Sequence, residues 1–276
     1  SIKGDVMIHN FKEATLGKTG LNVFRLGLSA SYLPGEKTIR RSIELGINYF
    51  FAYGFDRQMT KSLPKLIQSN REKFVLATGA YNYIWGFQNL EKALEKRLRQ
   101  FKTDYIDLFM FLGVLKPKEF NEQTRDALRK LRETGKVKAI GMSCHDRKFA
   151  GELAKNGELD ALMIRYNAAH RGAEDDIFPY LTHHTPGIIS YTATRWSYLL
   201  RRPRTWSKTE PLPTAPMCYR FVLSNPNVDV CMTAPSNIKQ LEENVRALDL
   251  GVLNSDEMNF MKRFGDVVHN QKKWFM

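Results

Sequence analysis

Short runs of consecutive apolar residues alternate along this chain with longer stretches whose apolar positions recur at i, i+3 and i+4. The runs FRLGLS (24–29), NYFF (48–51), FVLAT (74–78), IDLFMF (106–111), AIGM (139–142), ALMIRY (161–166), GIISY (187–191) and VDVCM (228–232) read as strands. The amphipathic stretches between and after them predict helices over 36–45, 56–69, 88–101, 119–134, 147–155, 173–181, 215–224 and 236–247. The strands lack polar alternation, so both faces must be covered, as in parallel strands under helices. Their starts recur every 22–41 residues, the size of a strand–helix unit.

Eight such units close most simply into a (β/α)8 barrel of the α/β class, the TIM barrel. An open doubly wound sheet is the alternative, but it normally carries a Gly-rich fingerprint after its first strand, and none follows FRLGLS. FKEATLGKTGLNVF (11–24) predicts a β-hairpin turning at Gly17–Gly20, a plug for the barrel floor. NSDEMNFMKRFGDVV (254–268) opens on a capping Asn/Ser pair and predicts an added C-terminal helix. Residues 7–276 read as a single barrel domain, with Ser1–Val6 an addition ahead of a native start at Met7.

Composition narrows the function. At 276 residues, 43% hydrophobic and 26% charged, the chain is of globular type. Its most apolar run, YIDLFMFLGVL (105–115), is too short to span a bilayer and contains Asp107, so no membrane partner is expected. Three scattered cysteines make neither a disulfide framework nor a zinc ribbon, which suits a reduced, cytoplasmic protein. The net charge of +13 invites nucleic acid or an anionic small molecule. Basic residues mostly alternate with acids, as in LEKALEKRLRQF (90–101), the pattern of a solvated helix face, and no aromatic–basic strand platform is present, which disfavours nucleic acid. The exception is the stretch after the seventh predicted strand, where Arg195, Arg201, Arg202, Arg204 and Lys208 cluster. Loops there often bind phosphate in barrels, so a phosphorylated ligand and a plain solvated loop are both open.

Several motifs fail. LGKTG (16–20) lacks the glycine that opens a phosphate loop, that position being Lys12. The six histidines form no helical i, i+4 pair, so no metal site is expected, and no G-x-S-x-G elbow occurs.

Six segments in order are similar to the aldo-keto reductase family: LGKTGLNVFRLGL (16–28), SIELGINYF (42–50), TDYIDLFMF (103–111), GKVKAIGMS (135–143), IRYNAAHRGAE (164–174) and IKQLEENVRAL (238–248). The resemblance implies a barrel that binds NADP(H), with NAD(H) as the alternative, and moves hydride between nicotinamide and a carbonyl or alcohol. On the cofactor side it implies that Tyr191 stacks on the nicotinamide, that Ser143 holds its carboxamide, and that Gln240, Glu243 and Asn244 contact the adenine. Ser236 stands at the entry to that last helix, where backbone N–H groups receive phosphate, with Lys239 and Arg195 as the nearby cations. Cys144, Met163 and Asn237 depart from the family's pattern on this side.

The family's catalytic Asp, Tyr, Lys and His carry over poorly. There a Tyr gives the proton, a Lys held by an Asp strengthens it as an acid, and a His orients the carbonyl. Here Phe51 takes the Asp position, Gly79 the Lys position and Leu112 the His position, while Tyr53 is the surviving Tyr, reached after a shortened turn. His145 is a possible replacement acid. Arg165, and Tyr81, Tyr83 and Trp85 after the third predicted strand, are others, although such residues equally shape a pocket. Phe51, Tyr81, Trp85 and Leu112 would give an aromatic pocket for an apolar or aromatic substrate. Two functions follow: an NADP(H)-dependent oxidoreductase with a non-standard mechanism, or a catalytically inactive NADP(H)-binding barrel that acts as a sensor or interaction protein.

Overall fold

The computed structural model describes residues 10–54, 56–81, 89–194 and 197–272. Eight parallel strands close into a barrel: β3 (Leu26–Ser29), β4 (Tyr49–Phe51), β5 (Val75–Tyr81), β6 (Ile106–Val114), β7 (Val137–Cys144), β8 (Ala161–Arg165), β9 (Gly187–Tyr191) and β10 (Val230–Thr233), which pairs with β3. The connecting helices are α1 (Glu36–Glu44), α2 (Gln58–Ile67), α3 (Leu90–Phe101), α4 (Glu122–Glu133), α5 (Arg147–Asn156), α6 (Ala173–Asp176), α7 (Ala215–Leu223) and α8 (Ile238–Ala247), and α9 (Ser255–Lys272) is the added C-terminal helix. The (β/α)8 expectation therefore holds, and the open sheet is excluded by the β10–β3 pairing.

Several boundaries differ from expectation. Strand β5 runs on to Tyr81 where 78 was expected, and β7 spans Val137–Cys144 where 139–142 was expected. The single helix expected over 173–181 breaks at Ile177 into α6 and a 3-10 turn at Phe178–Tyr180, because Pro179 has no N–H to donate to the carbonyl four residues back. Strand β6 runs on to Val114, past a register shift between Phe111 and Val114.

The apolar side chains separate into two layers. Phe50, Phe109, Ile140 and Leu162 face the helices, whereas Tyr49, Leu108, Met110, Met163 and Ile189 fill the barrel. This inner layer includes Leu16, Leu21 and Val23 of the hairpin β1 (Glu13–Thr15)–β2 (Asn22–Phe24), which plugs the floor. Gly17, with φ at 51°, donates its N–H to Asp229 Oδ2 at 3.0 Å. A Cβ added there would lie 2.6 Å from the Gly187 nitrogen. Gly17→Ala therefore combines a left-handed backbone with a clash and is expected to destabilise by about 1–3 kcal/mol. A thermal melt checks this; an unchanged midpoint would mean that the hairpin is not seated as described.

Two buried charges tie the floor together. Arg25 donates to the carbonyls of Phe11, Leu223 and Val228. Burial pushes its pKa down to about 10, so it stays charged at neutral pH. Asp107, at the start of β6, accepts from Arg71 Nη2 at 2.7 Å and from the Leu76 N–H at 2.9 Å. Among the described residues no helix is long and apolar enough to cross a membrane.

Candidate active site

Residues two apart on a strand face the same way, so the inward positions of β4 to β10 and the residues just beyond them converge on the C-terminal rim. They enclose a cleft of about 630 Å³. Its floor is apolar, made by Phe51, Leu112, Met163 and Met232. Above this floor stand Tyr53 and Tyr81 on one side, and Ser143, His145 and Tyr191 on the other. The start of α8 closes the end with Ser236, Gln240, Glu243 and Asn244. The cleft thus brings together residues drawn from separate parts of the chain.

The Tyr191 hydroxyl lies 2.8 Å from His145 Nδ1, and the two rings meet edge to face. Burial, helped by the neighbouring Arg165, lowers the His145 pKa, so the imidazole is neutral at pH 7 and hydrogen-bonds to the phenol as a neutral ring. Burial raises the pKa of Tyr191, keeping it protonated. Asn244 is fixed from behind: its Nδ2 donates to Thr233 Oγ1 at 3.2 Å, and that hydroxyl donates to Tyr219 Oη at 2.9 Å. Gln240 Oε1 accepts from the Ser236 N–H at 2.8 Å, so this donor is already engaged. Asn237, where the family pattern is broken, is the N-cap of α8, its side chain accepting from the Gln240 N–H at 2.9 Å.

The positions that the resemblance aligns with the family's catalytic Asp, Lys and His leave no open space. Phe51 is buried and stacks on Tyr53 at 5.9 Å between ring centroids. Leu112 is buried among the inner apolar residues. At Gly79 the strands approach so closely that an added Cβ would sit 1.9 Å from the Met110 carbonyl oxygen. Tyr81, two residues on, packs its ring against Gly54 and Gly113, the nearest ring atoms lying 3.2 and 3.4 Å from where a Cβ would be on each.

Other expected residues lie elsewhere. Lys239 is exposed on α8 and does not line the cleft. Arg201, Arg202, Arg204 and Lys208 are exposed as well. Their loop folds back on α9 through Trp206, which packs against Phe260 and Phe264, because its large apolar ring outweighs the flanking charges. The basic loop thus reads as the solvated alternative at these positions, and no Lys or Arg lines the cleft among the described residues. Arg195, Tyr83 and Trp85 lie outside the described residues. Cys144 points outward into the helix layer, its thiol donating to the Asp146 carbonyl, so this departure does not face the cleft. Arg165 Nη2 lies 2.8 Å from His170 Nδ1.

The sequence alone did not point to Thr192, Thr194 and Ser197 in the cleft wall. Thr192 has φ at 59°, unusual for a β-branched residue, and its carbonyl accepts from the buried Asn167 amide at 2.8 Å. Backbone held in such a conformation by a buried side chain is characteristic of functional loops.

A model of the aldo/keto reductase family matches residues 36–202 and 198–266. The chain belongs to the aldo/keto reductase family. Among the members it is similar to, an uncharacterised oxidoreductase of Bacillus subtilis (strain 168), YqkF, is 24% identical over 91% of this chain and 95% of that protein. L-galactose dehydrogenase of Arabidopsis thaliana is 26% identical over 88% and 90%. In fold, the chain is similar to an aldo/keto reductase from Klebsiella pneumoniae in complex with NADP and acetate, with a TM-score of 0.76 and 21% identity over 92% of this chain and 96% of that one. As a family member with this barrel, the chain is assigned to the oxidoreductases of aldo-keto reductase type.

Proposed function

We propose that the protein transfers hydride between a nicotinamide dinucleotide, NADP(H) or alternatively NAD(H), and a small carbonyl or alcohol of apolar or aromatic character. The observation that carries this reading is the cleft that Ser143, Tyr191, Gln240, Glu243 and Asn244 line together with the apolar and aromatic Phe51, Tyr53, Tyr81 and Leu112. The first five suit such a cofactor in their donor chemistry. Tyr191 supplies a ring for the nicotinamide, Ser143 a hydroxyl for its carboxamide, and α8 amide and carboxylate groups for the adenosine. His145 holds the Tyr191 hydroxyl and with it the orientation of the ring. Among the described residues no Lys or Arg lines the cleft for an adenosine 2′-phosphate, whereas a 2′-hydroxyl needs only an acceptor such as Glu243.

When bound, the cofactor supplies or accepts the hydride. The protein's residues position the carbonyl against the apolar floor, exclude water, and deliver a proton to the oxygen as charge develops there. With the Asp, Lys and His positions filled by Phe51, Gly79 and Leu112, that proton comes from Tyr53, Tyr81 or His145, the titratable groups at the rim. The same replacements favour the second reading, a barrel that binds NADP(H) without turning over.

Parallel fluorescence titrations with NADPH and NADH test the reading. Saturable binding of at least one, weakened about tenfold or more by Asn244→Ala through loss of roughly 1.5 kcal/mol of hydrogen bonding, is expected. Binding of neither would remove the redox reading. Binding without reduction of any member of a broad carbonyl panel would favour the second.

A further inference from the structure

The three rim groups differ in what stands behind them. His145 is neutral and engaged with Tyr191. Tyr53 is stacked on Phe51. Tyr81 backs onto a buried cation. Arg97, projecting from α3 and only 5% exposed, donates from Nη2 to the Gly54 carbonyl at 2.9 Å and from Nη1 to Gln100 Oε1 at 3.1 Å. Gly54 is the residue on which the Tyr81 ring packs, so the guanidinium holds the turn that clamps the ring. Asp56, two residues on, accepts from the Met59 N–H through Oδ1, while its Oδ2 is buried with no hydrogen-bond partner among the described residues. Arg97 interacts electrostatically with both Asp56 and Tyr81. A long, strongly hydrated side chain is rarely buried beside a phenol and a carboxylate without purpose.

We propose that Tyr81 is the proton donor of this barrel and that Arg97, aided by Asp56, is its positioning residue. A phenol, a cation and a carboxylate are thereby assembled from the end of β5, α3 and the turn after β4. This assignment rests on the redox reading above. As the hydride reaches the carbonyl carbon and forms the new C–H bond, the C=O π pair moves onto oxygen. That oxygen takes the Tyr81 proton, and the phenolate left behind, facing Arg97, is reprotonated by water. Alcohol oxidation runs the same transfers in reverse and requires the phenolate.

The charges around Tyr81 set the expected pH dependence. Burial and the neighbouring Tyr53 push its pKa up to about 12, and Arg97 opposes them. Tyr53 acts on it from the turn after β4 and Arg97 from α3, Asp56 acting on Arg97, while Glu91, Lys118, Glu119, Asp126 and Lys130 share an outer groove with it. Removing the Arg97 charge therefore raises the phenol's pKa further and moves the rising limb of alcohol oxidation to higher pH.

The test uses the full chain with NADPH and 4-nitrobenzaldehyde, and with NADP+ and the corresponding alcohol, or the NAD pair if NADH binds more tightly. Tyr81→Phe is expected to lower kcat by about 10²–10⁴-fold with cofactor affinity unchanged, a larger loss than Tyr53→Phe causes. Arg97→Met should lower alcohol oxidation across the accessible pH range, and Arg97→Lys, which keeps the charge, should restore it. A merely structural role would leave Arg97→Lys impaired as well, and a thermal melt identifies any variant that fails to fold. Turnover unaffected by Tyr81→Phe, or lost on Tyr53→Phe instead, overturns the assignment. Cofactor binding with no wild-type turnover across aliphatic and aromatic aldehydes also overturns it, while leaving cofactor binding standing. Absence of cofactor binding removes the redox reading itself.

Discussion

Gly79→Lys, which restores the residue type the family uses at this position, is expected to destabilise the protein without raising its turnover. A Cβ at Gly79 would meet the Met110 carbonyl oxygen at 1.9 Å and the Leu112 side chain at 3.0 Å. The leucine can rotate away, but the carbonyl belongs to β6, which pairs with β5 through five residues from Ala77 to Tyr81. Insertion therefore requires two core strands to part, and the cost should be about 3 kcal/mol or more, at or above the usual range for overpacking. Urea unfolding together with aldehyde reduction checks both halves. A stable variant with increased kcat would show that the strands separate easily and that the missing lysine alone limits the chemistry. The same geometry explains why Tyr81, one step further along the strand's inner face, is where a functional side chain can emerge.

Arg71→Met is expected to cost about 3–5 kcal/mol at neutral pH, the range for breaking a buried ion pair. The side chain of Asp107 is 2% exposed and that of Arg71 14%. Without the guanidinium, the carboxylate retains the Leu76 N–H and Lys138, whose ammonium is 4.0 Å away. Burial already raises the Asp107 pKa, and Arg71 opposes that rise. In the variant the folded-state pKa climbs further above its unfolded value. The protonated form then carries stability that is fully present below the unfolded pKa and is lost as pH rises through the folded one. The deficit relative to the parent should therefore shrink on acidification towards pH ~4, and Arg71→Met combined with Asp107→Asn should recover much of it. Denaturation midpoints across pH measure this. A deficit independent of pH would mean that packing of the Arg71 stem, which also lies over the Tyr105 ring at 4.0 Å, dominates.

These expectations concern parts of the molecule that were unequally legible in the sequence. GIISY was read at the observed bounds of β9, because a run of apolar residues ending at Pro186 on one side and at polar Thr192 on the other has one local solution. The hairpin around Gly17 and the helix beginning at Ser255 were legible for the same reason: turn glycines and caps act within a few residues. Tyr191, Ser143 and Asn244 line the cleft, and it was the resemblance to the family, not local patterning, that pointed to them.

What only the tertiary structure decided is which side chains meet. Arg97 reads in sequence as one more charge on an alternating helix; its spacing from Leu94 and Phe101 puts it on the buried face, but that it meets the Gly54 carbonyl there is decided by the tertiary structure. Lys239 reads as a phosphate ligand, but α8 packs through Leu241, Asn244 and Val245, which leaves the lysine facing solvent. Gly79 reads as a deleted side chain, whereas the spacing of β5 and β6 leaves no room for one. Hydrophobic periodicity is a local property and determines elements and the faces they bury. The meeting of groups far apart in the chain depends on barrel closure, on strand spacing and on the rotation of each helix about its axis, which no local pattern encodes.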